Sequence, residues 1–292
     1  MKKPTSEDAA KVAAYRRQLG KYPKPSVTAD IIAVRPAYGE LGEGQWRENP
    51  EFTLEMLFIK RGQWPFEGCW ALPGGFIRPD ETVDEGARRE LREETALATE
   101  HLIPVGVFSR PDRDMRAWII SNAFVSVHRR GQGCQVKGGD VAAAARWLSL
   151  KSPSVGQGKI CLPFYDGDKL EFRITGTYRD EDLGGGTVTG VDDSPLAFDH
   201  AEIIAQSFLR LLSFDMRKLV FFFLPEKFTL SNYIDVYQYL TRGSISIGNI
   251  PNFRRQLTAT KDPLLEVCEG EWEDLGGRGH ARAKLYRRRD NT

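Results

Sequence analysis

The chain contains no apolar run long enough to cross a membrane as a helix, which needs about 18 consecutive apolar residues. Its longest run, residues 219–224, has six apolar residues and ends at Pro225. The first residues, MKKPTSEDAAKV, contain neither the apolar segment nor the cleavage site of a secretory signal. We therefore expect a cytoplasmic protein with no membrane partner.

Cysteine is also scarce, and the four cysteines lie far apart in the chain. No two of them form a Cys-x-x-Cys pair, which is the spacing typical of structural zinc sites. Disulfide frameworks are typical of short secreted chains that are rich in cysteine. The cysteine pattern therefore predicts free thiols and argues against both a zinc site and a disulfide framework.

Neither sign of charge dominates, because 41 basic residues are balanced by 40 acidic ones and the formal net charge is +1. This balance argues against a general polyanion-binding protein, although opposite charges elsewhere can conceal a local basic face. Hydrophobic residues make up 41% of the 292 residues and aromatic residues 11%, which argues against wholesale disorder. At about 150 residues per domain, the length predicts two domains.

Predicted strands dominate the first two thirds of the chain. Residues 1–25 are charged and end in KYPKP, and we expect a short helix or a loose arm there. Runs of β-branched and apolar residues predict strands at 26–34, 52–59, 102–109 and 117–127, and 142–150 closes this block. We expect the first domain to span 26–195.

The end of this first domain has a different pattern, over residues 151–194. Segments 159–165 and 169–175 resemble a β-hairpin that turns at 166–168, and a glycine run follows. We interpret 151–194 as an insertion or an inter-domain element.

The last third has the order of elements found in a winged helix-turn-helix. Periodic apolar residues predict helices at 198–214 and 228–241, and a short basic helix follows at 252–258. Segments 264–267 and 284–286 are expected to pair as a hairpin. This order predicts a linker helix and a winged helix-turn-helix domain over 196–292.

The clearest helix signal is Val83–Thr95. Thr82 and Glu85 have the spacing of a capping box, in which each side chain binds the backbone of the other residue. Ala87 and Leu91 lie about one turn apart and would anchor the helix to a sheet.

The same helix carries three glutamates on one face, because Glu90, Glu93 and Glu94 stand at positions i, i+3 and i+4. Like charges in this arrangement destabilise a helix unless a cation neutralises them. Magnesium prefers carboxylate oxygens and bridges to substrate phosphates, so a Mg²⁺ site facing a diphosphate explains the cluster. Three glutamates alone are more often a solvated helix face, and the wider spacing decides between the two interpretations.

That wider spacing resembles the Nudix box. Gly75 is followed at the expected distance by Glu81 and then by the run Arg89-Glu90-Leu91-x-Glu93-Glu94. The one departure is Ala96, which stands where the box has a glycine just past the helix. A left-handed conformation is often needed there, and alanine costs about 1 kcal/mol in it.

The resemblance implies an α/β/α sandwich and the hydrolysis of a nucleoside diphosphate linked to another group. It also implies Mg²⁺ or Mn²⁺ as the cofactor. The residues that match the metal-binding and catalytic carboxylates are Glu90, Glu93 and Glu94. Arg89 matches the arginine that braces them, and Gly75 and Glu81 match the substrate loop and its support. Either Glu93 or Glu94 would orient or deprotonate the attacking water.

A charged loop at 110–116 is the second signal. Alone it is most simply a polar turn, but after a Nudix box it resembles the Arg-Asp-x-Arg loop of ADP-ribose-type Nudix proteins. The resemblance implies that Arg113 and Arg116 hold a phosphate or the terminal ribose, since guanidinium groups suit phosphate oxygens.

The C-terminal motifs resemble those of Nudix-related transcriptional regulators, in which a Nudix-type sensor is fused to a winged helix. The resemblance implies ADP-ribose or a related NAD-pathway nucleotide as effector, double-stranded operator DNA as partner, and a homodimer. His200 opens the linker helix, where it would either transmit a ligand signal or cap the helix.

Basic residues are concentrated in this last domain, where residues 216–292 include 13 basic and 9 acidic ones. Such side chains on a helix and a wing can contact DNA phosphates and guanine edges. The candidate DNA-binding residues are Arg254, Arg255, Arg278 and Lys284. The alternative is a solvated basic tail, and the acidic residues at 266–274 favour it slightly.

Three functions remain open at this stage. The first is a ligand-responsive regulator that also retains Mg²⁺-dependent hydrolysis. The second is an ADP-ribose pyrophosphatase whose C-terminal domain does not regulate transcription. The third, a Nudix fold kept only as a scaffold, fits least well because the set of carboxylates is complete.

Overall fold

The structure is a computed structural model that describes residues 6–38, 52–99, 101–128, 142–179, 188–191, 195–212, 215–241, 248–259, 263–274 and 282–289. Among these residues, no helix is both long and apolar enough to span a membrane. The helices are α1 Ser6–Leu19, α2 Val83–Thr95, α3 His200–Leu212, α4 Met216–Leu219, α5 Leu230–Thr241 and α6 Ile250–Thr258.

The described residues of the first domain form one mixed sheet of ten strands. Its strands are β1 Ser26–Tyr38, β2 Phe52–Arg61, β3 Trp70–Ala71, β4 Gly74–Phe76, β5 Leu102–Phe108, β6 Ile119–Val127, β7 Ala142–Leu150, β8 Ser154–Gly156, β9 Lys159–Asp166 and β10 Lys169–Thr177. The main order is β10-β9-β7-β2-β1-β6-β5. Strands β1 and β6 are parallel, and the other pairs are antiparallel. All the predicted strands are confirmed.

Strand β1 lies at the centre of the sheet and carries apolar side chains on both faces. Ala29 and Ile31 pack with the buried face of α2, while Ile32 and Val34 belong to the core on the side of α3. This alternation follows from the period of two along a strand. Helices therefore cover both faces of the sheet, which confirms the predicted α/β/α sandwich.

The predicted hairpin at 159–175 forms, and it continues the main sheet. Strand β9 pairs with β7 at Ser149 and Leu150, and β7 in turn pairs with β2. The rings of Phe164 and Phe172 contact the ring of Phe58 at centroid distances of 5.1 and 5.3 Å. The hairpin is thus part of the core of the first domain and does not separate it from the second.

The second domain has a small antiparallel sheet of β11 Lys227–Thr229, β12 Leu265–Asp274 and β13 Arg282–Arg288, in the order β11-β13-β12. Strand, helix α5, helix α6 and hairpin follow one another as in a winged helix. The helix predicted at 228–241 begins later, at Leu230, because Phe228 and Thr229 pair with β13 instead. The helix predicted at 198–214 likewise begins at His200, since Ala197 donates its amide to Trp70.

The two domains share one apolar core. Helix α3 and the first residues of the second domain pack on the open face of the main sheet. The hydroxyl of Tyr239 on α5 donates to the carbonyl of Leu150 at 2.8 Å and accepts the amide of Leu54 at 3.2 Å. The second domain is therefore docked on the first through both apolar and polar contacts.

Candidate active site and nucleic-acid interface

Helix α2 begins and ends as its sequence predicts. The side chain of Thr82 accepts from the amide of Glu85, and the side chain of Glu85 accepts from the amide of Thr82, so the capping box is present. Ala96 closes the helix in the left-handed region with φ of 60°. Ala87 and Leu91 are fully buried against the sheet, and the face that carries the glutamates is therefore turned away from it.

Arg89 braces this face. Its guanidinium donates to both carboxylate oxygens of Glu81, at 3.0 and 2.6 Å, and to Glu90 at 2.5 Å and Glu93 at 3.1 Å. It also donates to the carbonyl of Phe76 at 2.9 Å. The bond from Arg89, together with the amide of Arg78, lowers the pKa of Glu81 to about 2. Arg89 thus holds the loop before α2 and two of the three candidate ligands in one arrangement.

Two glycines make room for the carboxylates. A Cβ atom on Gly75 would lie 2.6 Å from the carboxylate of Glu90, and one on Gly86 would lie 2.8 Å from an oxygen of Glu81. Either distance is shorter than a normal contact. The role of Gly75 in this structure is therefore to let the Glu90 carboxylate approach the backbone.

Glu94 is partly buried, like Glu90, whereas Glu93 is exposed. One oxygen of Glu94 accepts the amide of Gly74 at 2.9 Å. Burial is the main cause that raises the pKa of Glu94 to about 8; the nearby Glu90 carboxylate acts in the same direction, and the Gly74 amide opposes the shift. Glu94 therefore exchanges a proton in the neutral pH range.

The three glutamates do not form a closed metal site in this structure. Within the described ranges, no three acidic, histidine or cysteine side chains converge tightly enough to hold an ion. Glu90 and Glu93 both pair with Arg89, and Glu94 faces Gly74. The donor chemistry nevertheless fits a hard divalent cation, because such a cation would relieve the repulsion between Glu90 and Glu94.

Arg113 is placed differently from the prediction. Its guanidinium is buried, donates twice to Asp199 at 2.9 and 2.7 Å, and donates to Asp30 at 3.2 Å. In this structure it binds two carboxylates of the protein and does not face a ligand. The sequence offered no signal for this, because its partners lie 83 and 86 residues away in the chain.

The carboxylate of Asp30 collects several buried partners. Ser121 donates to it at 2.5 Å, and Nε2 of His200 lies 3.5 Å from its second oxygen. Burial alone would raise the pKa of Asp30, but His200, Arg113 and Ser121 hold it below the ordinary value. Nδ1 of His200 accepts the amide of Leu72 at 2.9 Å, so the first turn of α3 contacts the segment that leads to the glycine loop.

Arg116 lies at the surface of the same region. Its guanidinium pairs with Asp114 at 2.7 Å and lies over the rings of Phe76 and Phe198, 5.6 and 5.1 Å from their centroids. It therefore lies beside the glycine loop, and its role in holding a phosphate or the terminal ribose stays a prediction. Arg61, which sequence reasoning missed, lies over the same Phe198 ring at 5.0 Å.

The candidate DNA-binding surface lies on the second domain. Helix α6 buries Phe253 and Leu257 and leaves Arg254 and Arg255 exposed. Lys284 is exposed on β13, with its Nζ 5.5 Å from the centroid of the Trp272 ring. Arg278 lies outside the described residues.

Two acidic side chains of β12 form ion pairs with basic side chains of β11 and β13. Arg287 forms an ion pair with Glu266, and Lys227 forms one with Glu271 at 2.6 Å. The acidic residues of β12 thus neutralise basic residues on β11 and β13, and the side chains of α6 remain outside these pairs. The basic character of α6 is therefore retained.

Comparison with known proteins finds similarity over both the first domain and most of the whole chain. Residues 47–159 match the model of the NUDIX domain. The chain is 43% identical to the ADP-ribose pyrophosphatase of Methanocaldococcus jannaschii over 98 residues, which are 34% of this chain and 56% of that protein. It is 24% identical to the ADPR responsive transcriptional repressor NtrR of Acinetobacter baylyi over 239 residues, which are 80% of this chain and 73% of that protein.

Two crystal structures resemble the whole fold. A MutT/nudix family protein from Enterococcus faecalis is 23% identical, with a TM-score of 0.63 over 99% of this chain and 100% of that one. The NrtR protein of Shewanella oneidensis is 23% identical, with a TM-score of 0.54 over 90% of this chain and 94% of that one. The chain thus shares its fold with both proteins.

Proposed function

We propose that this chain, which carries a Nudix domain and is homologous over 80% of its length to an ADPR responsive repressor, is a ligand-responsive DNA-binding regulator. Its first domain would bind ADP-ribose or a related NAD-pathway nucleotide, and its winged helix would bind operator DNA as a homodimer. The observation that supports this proposal is that one chain contains both a helix with the complete set of Nudix carboxylates and a winged helix packed against the Nudix domain. The relative that shares both parts is named for its response to ADPR.

Hydrolysis of the nucleotide is the second part of the proposal. Glu90, Glu93 and Glu94 would hold Mg²⁺ or Mn²⁺, which when bound neutralises a diphosphate and lowers the pKa of water. Arg89 keeps Glu90 and Glu93 in place. Either Glu93 or Glu94 would orient or deprotonate the attacking water, and Glu94 is the one held against the glycine loop, by the amide of Gly74.

The DNA-binding part depends on α6 and the wing. Arg254 and Arg255 project from α6, whose apolar face is held by Phe253 and Leu257. Together with Lys284 and Arg278, these arginines would contact DNA phosphates and base edges. Two copies of α6 in a homodimer would read two half-sites.

The test of DNA binding starts with a duplex selected by the protein from a randomised pool. We expect Arg254→Ala combined with Arg255→Ala to weaken binding of that duplex at least tenfold in a gel-shift titration. Arg173→Ala, which removes an exposed arginine from β10, is the matched control and should leave binding unchanged. Equal affinity of the double variant and the control would contradict the assignment of α6.

The alternative function is an ADP-ribose pyrophosphatase whose second domain does not bind DNA. It is favoured by the complete set of carboxylates and by the likeness to the archaeal pyrophosphatase. Release of AMP from ADP-ribose with Mg²⁺, abolished by Glu94→Gln, would support the enzyme in either case. If the pool selection yields no duplex while AMP is released, the alternative is correct.

A further inference from the structure

A cavity lies in the shared core of the two domains, between the main sheet and the helices that pack on it. Its volume is about 50 Å³. Val34 and Met56 line it from the sheet, Leu211 lines it from α3, and Met216 and Leu240 line it from α4 and α5. Protein interiors are close-packed, so this void is a departure from ordinary packing at the place where the two domains meet.

The walls of this interdomain cavity are almost entirely apolar. Leu54, Ile204 and Leu219 are typical of them, and all three are buried. The hydroxyl of Tyr239 also belongs to the lining, but it already donates to the carbonyl of Leu150 and accepts the amide of Leu54. A buried water makes about three hydrogen bonds, and apolar cavities stay dry. The interdomain cavity is therefore suited to an apolar guest.

Ser207 on α3 is the polar exception. It lines the cavity, and only 2% of its surface is exposed. Its Oγ has no hydrogen-bond partner among the residues that the structure describes. Thr95 and Thr241, by contrast, donate to the carbonyl four residues earlier in their own helices. A buried hydroxyl without a partner costs stability, because the hydration that it loses on folding is not replaced.

We propose that the interdomain cavity is a binding site for a small molecule with an apolar body and one hydrogen-bonding group, such as a short-chain alcohol. Ser207 would bind the polar group, since a hydroxyl both donates and accepts. A water-sized group needs about 10–15 Å³ of such space, so the cavity takes roughly three to five non-hydrogen atoms. The apolar body would restore the contacts that the lining side chains lack.

The position of the cavity gives its occupant contact with both domains. Met56 belongs to β2 of the main sheet, and Met216 opens α4 at the start of the second domain. Between them lies α3, whose first residue, His200, accepts the amide of Leu72 beside the glycine loop. An occupant that binds only this docked arrangement would stabilise it by mass action. The proposal is independent of the proposed function, because it involves neither the carboxylate helix nor DNA.

The first test uses the full chain, isotope-labelled at the methionine methyl groups for NMR. Met56 and Met216 line the cavity, whereas Met115 is exposed in the loop at 110–116 and serves as the internal control. Titration with n-propanol should shift the signals of Met56 and Met216 to saturation with one dissociation constant, and the signal of Met115 should not saturate. The site is overturned if Met56 and Met216 respond no more than Met115 does.

A second test examines the role of the hydroxyl. Ser207→Ala keeps the space and removes Oγ, and Ser154→Ala, which changes an exposed serine of β8, is the matched control. The dissociation constant of n-propanol should rise about 2- to 10-fold in Ser207→Ala, the effect of one neutral hydrogen bond, and should not change in the control. Xenon, which has no polar group, should bind both variants as it binds the wild type. Equal n-propanol affinity of Ser207→Ala and the wild type would overturn the role of Ser207.

A filling variant locates the guest. Ser207→Leu places a larger apolar side chain in the cavity and should abolish the shifts caused by both n-propanol and xenon. Ser207→Val, which fills less of the space, takes its place if Ser207→Leu does not fold. Saturable shifts of Met56 and Met216 that persist in a folded filling variant would show that the guest binds elsewhere and would overturn the proposal.

Discussion

The buried ion cluster around Arg113 should respond strongly to a single substitution. Arg113 joins the loop at 110–116 to Asp30 at the centre of the sheet and to Asp199 at the start of α3. The exposed fractions of the three side chains are 4%, 10% and 3%. Arg113→Ala removes the only arginine of this cluster among the described residues and leaves two buried carboxylates with less compensation.

The expected cost follows from burial. Breaking a buried ion pair by removing one partner destabilises a protein by about 3–5 kcal/mol, because the remaining charge is buried without compensation. Two carboxylates are left here, so the upper half of this range is expected. For a protein of this size, about 2–4 °C of melting temperature is lost per kcal/mol, so a cost of about 4–5 kcal/mol gives a fall of roughly 8–20 °C.

Thermal unfolding at pH 7, followed by circular dichroism, measures this effect. Arg110→Ala is the matched control, since Arg110 lies in the same loop and pairs with Glu202 on the same helix but is more than half exposed. An exposed pair contributes about 0–1 kcal/mol, so the control should melt within a few degrees of the wild type.

The pH dependence provides a second check. Nearby positive groups hold the pKa of Asp30 below its ordinary value, so its contribution to stability is present above about pH 4 and is lost as the pH falls through the lowered pKa. Without Arg113 the pKa of Asp30 should rise, so Asp30 in the variant should take up a proton as the pH is lowered from 7 to 4. The difference in melting temperature between variant and wild type should therefore narrow over this range. A fall of less than 3 °C at pH 7, equal to that of the control, would refute the structural role of Arg113 and favour the ligand-binding role that the sequence predicts.

Three other variants test separate features of the fold and the site. The pKa of Glu94 is about 8 in the folded protein and has its ordinary, lower value in the unfolded chain. Between these two values the unfolded chain releases a proton that the folded protein keeps, so the metal-free wild type should lose stability as the pH rises through this window. The variant Glu94→Gln should not show this loss. Melting curves in EDTA at pH 6 and 9 measure this, and a parallel loss in both proteins would contradict the raised pKa. Ala96→Gly should stabilise the protein by about 0.5–1 kcal/mol in urea titrations because it removes a left-handed alanine, whereas the control Ala98→Gly should not. Tyr239→Phe removes the hydroxyl that bonds to β2 and β7 and should cost about 1–3 kcal/mol, while Tyr165→Phe should cost less; equal effects would show that domain docking does not depend on these bonds.

Local features of the site were predictable from the sequence in detail. Helix α2 has the predicted bounds, its capping box forms, and Ala96 adopts the left-handed conformation expected for the missing glycine. These features depend on residues close together in the chain, where backbone geometry sets which side chains meet. The contacts of Arg89 with Glu81, Glu90 and Glu93 are of the same kind, since all lie within eight residues of it.

Features that depend on distant parts of the chain were predicted less well. The loop at 110–116 contains three arginines, and the sequence does not show that Arg113 is buried while Arg110 and Arg116 are exposed. The position of Arg61 has no local signal at all, because Phe198, over whose ring it lies, is distant in the chain. The hairpin of β9 and β10 was predicted as a hairpin, but its place in the main sheet depends on pairing with β7.

The carboxylate helix, the strands and the order of elements in the second domain follow from the sequence alone, because hydrophobic periodicity, capping and motif spacing are local properties. Which charges bind one another within the protein depends on how the chain folds. Arg113 is buried between Asp30 and Asp199, and each of these carboxylates is more than 80 residues away from it in the chain. Arg61 and Arg116 lie over one aromatic ring. The physical reason is that a charged side chain either pairs within the protein or stays available for a ligand, depending on its burial and on its neighbours. Contacts between distant segments of the chain set both.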